Sequence, residues 1–95
     1  MEAKEHYIVL VGMPGYLPDG YYPAESKEAA INIAKGEKEA FLNMGELKVV
    51  GNIRKDLQYD VIREGIYGPY VWMQITIEKE YFTDEEWKLM LDSDI

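Results

Sequence analysis

Hydrophobic and polar positions change their period several times along the chain, and each change marks an element. Tyr7 to Met13, "YIVLVGM", is continuously apolar and β-branched. A run of that length closed by Pro14-Gly15 predicts a strand covered on both faces. From Ser26 the period lengthens. Ala30, Ile33, Ala34, Phe41 and Met44 recur at helical steps, interrupted only by Glu37, which predicts a helix over about 26–44. Ser26 is placed to cap it, Glu28 sits near its positive end, and Asn43-Met44-Gly45 supplies a stop. Gly36 is expected to mark a kink or a close approach, because glycine inside a helix costs about 1 kcal/mol relative to alanine.

Strict alternation follows. Leu47, Val49, Gly51 and Ile53 alternate with Glu46, Lys48, Val50 and Asn52, a strand with one mostly polar face. Residues 54–56 read as a turn. Leu57, Tyr59 and Val61 alternate with Gln58, Asp60 and Ile62 to give a further strand over 57–62, although Ile53, Leu57 and Val61 also fall at helical spacing. The clearest strand is "VWMQITIEKEYF", with Val71, Met73, Ile75 and Ile77 on one side and Tyr70, Trp72, Gln74, Thr76, Glu78 and Glu80 on the other. A short helix over about 84–91 is announced by a Thr83/Glu86 capping box and a Phe82/Trp87 staple. The pattern predicts a single α+β domain over 1–95, a small sandwich. Its three- or four-stranded, mainly antiparallel sheet is packed by one long helix and a short C-terminal one.

Two Gly-Pro connections interrupt this order: Gly12 to Ala24, and Arg63 to Tyr70. Five of the eight tyrosines lie in or beside them, namely Tyr16, Tyr21, Tyr22, Tyr67 and Tyr70, and Trp72 follows closely. Tyrosine offers rigid amphipathic area at low entropic cost. These six side chains are therefore candidate binding residues, the other reading being that the rings close a minor core at the sheet ends. A pocket between the two connections would suit a small ligand.

Composition narrows the chemistry. With 95 residues and 47% hydrophobic content, the chain can bury one core. It has no cysteine and one histidine, His6, so thiolate zinc sites, disulfides and cysteine nucleophiles are excluded. The N-terminal apolar run is too short for a signal peptide or a membrane span, and a cytoplasmic location is expected. The first connection follows a strand and precedes a helix, as a phosphate loop would. It carries neither the lysine nor the glycine spacing of such a loop, and Asp19 and Glu25 would repel phosphate. No nucleophile stands with a base in a recognisable motif, and no calcium-loop spacing occurs. No catalytic residue, metal ligand or cofactor is assigned.

The formal charge is −8, which argues against nucleic-acid backbones as partners. It is concentrated at the C-terminal end, where residues 78–95 hold seven acids and two lysines. Glu78, Glu80, Asp84, Glu85, Asp92 and Asp94 are the candidate acidic face for a basic partner; solubility alone is the other explanation of the charge.

The opening third, "YIVLVGMPGYLPDGYYPAESKEAA", resembles small proteins encoded by tailed bacteriophages, which share an apolar strand, a P-G-Y-L-P loop and a helix soon after. The resemblance carries no catalytic residues. It implies a small accessory protein acting in the host cytoplasm by binding host machinery, as anti-defence proteins do. Three functional expectations follow. The first is a non-enzymatic protein-binding module that inhibits a host protein. The second is a ligand-sequestering protein, and the third is a protein that self-assembles through a sheet edge.

Overall fold

A computed structural model describes residues 2–51 and 57–92, the side chain of residue 92 excepted. The chain is α+β. The elements are β1 (Lys4–Gly12), β2 (Gly20–Ala24), α1 (Lys27–Asn43), β3 (Leu47–Gly51), β4 (Gln58–Gly65), β5 (Gly68–Phe82) and α2 (Asp84–Asp92). The strands form one five-stranded sheet in the order β2-β1-β5-β4-β3. Every neighbouring pair is antiparallel.

Five strands replace the three or four expected. The addition is β2, inside the first Gly-Pro connection. Gly20 and Pro23 obscure its strand character in the sequence, and pairing with β1 at the edge of the sheet tolerates them, because an edge proline need not donate to the ladder. Gly12 lets the intervening loop fold back: Asp19 N–H donates to the Val11 carbonyl at 2.8 Å, and a Cβ on Gly12 would lie 2.9 Å from the Pro18 Cα. The second connection is also smaller than expected. Residues 63–65 and 68–70 are strand, leaving Ile66-Tyr67 as a two-residue turn between paired Gly65 and Gly68, the latter at φ 109°. The expected strand over 57–62 is strand from Gln58 onward, Leu57 being a left-handed turn residue at φ 62°. Residues 52–56, which include the expected turn and the end of the preceding strand, lie outside the described residues.

Both helices begin where their caps predict. The Ser26 hydroxyl accepts from Ala29 N–H at 3.1 Å. At α2, Thr83 N–H donates to Glu86 Oε1 at 2.9 Å and Glu86 N–H donates to Thr83 Oγ1 at 3.2 Å, the reciprocal capping box. The N–H bond from Thr83 holds the Glu86 carboxyl below its usual range. α1 runs without interruption through Gly36, where an added Cβ would meet nothing within 4 Å. No close approach explains that glycine.

The core lies between α1 and one face of the sheet. Ala30, Ala34 and Phe41 of α1 pack with Val9, Val11, Ala24, Val61, Met73, Ile75 and Ile77. The second face is more polar. The Asp60 carboxylate accepts from Gln58 and Gln74 there, at 3.1 and 3.2 Å. α2 lies across one end of this face and buries His6, Ile8 and Trp87. β1 is thus covered by α1 on one side and in part by α2 on the other, as its continuous apolar run predicts.

One register change redirects an aromatic side chain. Val61 pairs with Met73 but Ile62 pairs with Val71, leaving Trp72 as the extra residue of a β-bulge. Alternation alone would put Trp72 opposite Met73. Instead the Trp72 ring meets Phe41 of α1 edge-on at 6.0 Å, so both side chains serve the helix side. A bulge depends on pairing with a distant strand and leaves no mark in the local pattern.

Candidate functional site

The sheet outlasts the helix that covers it. α1 ends at Asn43 with Met44 as its C-cap, and the chain turns into β3 through Gly45 and Glu46, both left-handed at φ 80° and 60°. β3 starts beside the far part of β4, with Leu47 opposite Arg63, which in turn faces Tyr70 on β5. Past that row only the β4–β5 hairpin continues. The molecule is correspondingly long, 52 × 27 × 23 Å.

A cleft of about 680 Å³ opens between the end of α1 and the base of this hairpin. It is lined by Met44, Gly45, Glu46, Leu47, Arg63, Glu64 and Trp72, and its volume falls in the range of ligand sites. The Arg63 guanidinium lies over the Trp72 ring, 5.1 Å from its centroid, within cation–π range. Tyr70 packs against the backbone across the hairpin, so that a Cβ on Gly65 would come within 2.9 Å of its ring. At the tip, Ile66 is 96% and Tyr67 102% exposed.

The six candidate aromatic residues do not form one site. Tyr67, Tyr70 and Trp72 belong to the hairpin and its base. Tyr21 and Tyr22 are consecutive residues of β2 and point to opposite faces. Tyr21 donates to Met90 Sδ of α2 at 3.0 Å, whereas the Tyr22 ring lies over Gly20. Tyr16 is 74% exposed in the loop after β1. A smaller cavity of about 140 Å³ lies beneath that loop, between Met13–Tyr16 and Gln74–Glu78 of β5. Neither cavity draws on both Gly-Pro connections, so a ligand pocket shared between them is not formed by either. Sequence reasoning missed Met44, Glu46 and Leu47 as site residues. The helix stop at Gly45 locates the end of α1, but only the β3–β4 register sets that end beside Arg63 and Trp72.

The candidate acidic residues divide in the same way. Glu78 and Glu80 stand on β5, where they pair in register with Ile8 and His6. Asp84 and Glu85 open α2, and Asp84 reaches Lys4 at 3.4 Å. These four occupy one end of the second face, remote from the cleft. The Asp92 side chain and Asp94 lie outside the described residues.

His6 lies within β1. Its Nδ1–H donates to the Lys4 carbonyl at 2.9 Å, and its ring stacks on Trp87. Among the described residues no group of three or more His, Cys, Asp or Glu could hold a metal ion. Among them, too, no helix is long and apolar enough to cross a membrane. Comparison with family models, with curated proteins and with solved structures finds no match to this chain.

Proposed function

We propose that the protein is a small, acidic, non-enzymatic binding module that docks a partner protein, in keeping with a phage accessory role in a host cytoplasm. The observation that carries this reading is the β4–β5 hairpin. It presents two almost fully accessible apolar side chains, Ile66 and Tyr67, next to a cleft lined in part by Trp72. A protruding turn of this kind fits an anchor that enters an apolar pocket of a partner, where aromatic side chains contribute most to binding. The glycine-dependent position of the turn is Gly68, at φ 109°, and not Ile66 or Tyr67.

The test is capture from lysate of a bacterial host with the wild-type protein and with Ile66→Ser/Tyr67→Ser. Both side chains are outside the core, so the variant retains its melting temperature. A stoichiometric protein held by the wild type and lost with the variant supports the reading. Equal capture by both removes the hairpin from the interface. A second reading, binding of a small molecule, is favoured by the size of the cleft. In that case the eluate contains a small molecule and no protein.

A further inference from the structure

We infer that two copies of the chain form a two-fold dimer by antiparallel pairing of β3 with β3, centred on Val49, which joins their sheets into one. This goes beyond the hairpin reading and uses a different surface.

β2 and β3 are the two edges of the sheet. β2 carries Pro23, which has no N–H to offer, and its Tyr21 is tied to α2. β3, "LKVVG", has no proline, and alternate residues of it direct N–H and C=O away from β4. Such an edge recruits another strand unless charge, proline or a covering element opposes it, and within β3 the one charge is Lys48. Val50, 49% exposed, shares a face with Lys48, while Leu47 and Val49 pack toward the core on the other.

The strand is complementary to itself. An axis at Val49 sets Leu47 opposite Gly51, Lys48 opposite Val50, and Val49 opposite Val49 of the second copy. On the helix side, a Cβ at Gly51 would meet nothing within 4 Å. Leu47 of the second copy therefore enters open space there, in the row that holds Tyr59. On the other side, Val50 pairs with Asp60 and Lys48 with Ile62. Each row across the dimer then reads Asp60, Val50, and Lys48 and Ile62 of the second copy. Asp60 and that lysine stand two strand spacings apart, about 10 Å. A lysine leaning across Val50 brings its ammonium toward the carboxylate, and Lys48 has no ion pair among the described residues. The symmetry makes each contact twice, and each copy supplies both halves.

Neighbouring registers lose these matches. Centring on Lys48 sets lysine against lysine, a destabilising pair, and centring on Val50 pairs only residues 49–51 within β3. The acidic segment does not oppose the approach, because Glu78 and Glu80 stand on β5 beside β1 and α2 packs on His6, away from this edge. Both α1 helices stay on one face of the joined sheet. Leu47 marks the hairpin end of β3, so the two hairpins project from opposite ends of the dimer.

Sedimentation velocity of the full chain from micromolar to millimolar concentration reads the association. The expected result is a concentration-dependent dimer. Lys48→Glu sets like charges in both symmetric rows and should weaken it by about tenfold; Lys48 is exposed, so the variant keeps the wild-type melting temperature. The register is read by single cysteines, since the chain has none of its own. Opposed Cα atoms lie about 4.5–5.5 Å apart, within the span of a disulfide, so Val49→Cys should cross-link rapidly under mild oxidation. Val50→Cys should cross-link far more slowly, because its symmetry mate lies two residues along, beyond about 7 Å. A monomer at millimolar concentration, cross-linking as fast at position 50 as at 49, or a dimer indifferent to Lys48→Glu overturns the inference. So does a dimer lost with Ile66→Ser/Tyr67→Ser, which would place the contact at the hairpin. Capture of a partner through the hairpin is read separately and stands or falls without β3.

Discussion

The imidazole of His6 lies 4.1 Å from the indole of Trp87 with the ring planes 28° apart, and this stack fastens α2 to the second face of the sheet. Phe82 completes the cluster at 5.9 Å from His6 and 5.7 Å from Trp87. Nine residues make a helix too short to persist alone, so α2 depends on this contact and on its cap. The indole Nε1–H is buried and finds no acceptor among the described residues.

Trp87→Phe is accordingly expected to stay within about 1 kcal/mol of the wild type. The lost ring area is offset by removal of an unsatisfied donor, which costs about 1–3 kcal/mol. Trp87→Ala removes the ring altogether and should cost about 3–5 kcal/mol. Urea unfolding measures both, and loss of the ring-current shift on the His6 protons in Trp87→Ala would report release of α2.

The capping box makes α2 sensitive to acid. The Glu86 carboxylate is held below its usual range by the Thr83 N–H, so its contribution is complete above the unfolded-chain value of about 4.3. That contribution declines as the pH falls through the lower folded-state value. Between pH 6 and pH 2 the Trp87 emission should shift toward that of a solvated indole. Glu86→Gln should flatten this transition, because its amide still accepts from Thr83 without titrating there. An identical pH profile in both proteins would remove Glu86 as the cause.

Gly36 has open space around it within a continuous helix. Gly36→Ala should therefore raise stability by about 1 kcal/mol, measured as an increase in the urea midpoint with unchanged slope.

Gly12 behaves in the opposite way. A methyl there meets the backbone at Pro18, which cannot retreat without moving the loop. Gly12→Ala should cost about 1–3 kcal/mol. It should also release the Asp19 N–H bond to Val11, detected as faster amide exchange at Asp19 while the α1 amides remain protected.

The helices were legible because their signals are local. Ser26, Thr83 and Glu86 act on backbone groups three residues away, and the stripe through Ala30, Ala34 and Phe41 repeats within one element. What escaped local reading depends on a partner strand. β2 is a strand because β1 offers it an edge, despite Gly20 and Pro23. Trp72 faces α1 because β5 carries one residue more than the stretch of β4 it pairs with. The aromatic residues looked like one group because they gather in two connections, yet alternation sends Tyr21 and Tyr22 to opposite faces. Half of the candidate set remains at the hairpin, and the cleft beside it required the β3–β4 register to find.

The bulge at Trp72 also sits where the hydrophobic core gives out. Met73 and Val61 on its near side belong to the core, whereas β4 and β5 beyond Leu47 are held by their own ladder. Bulges concentrate twist and bend, so the hairpin leaves the core on a new heading, and β3 splints the change because Val49, Lys48 and Leu47 pair across it with Val61, Ile62 and Arg63. The direction in which Ile66 and Tyr67 project is thus set by one residue far behind them in the sheet.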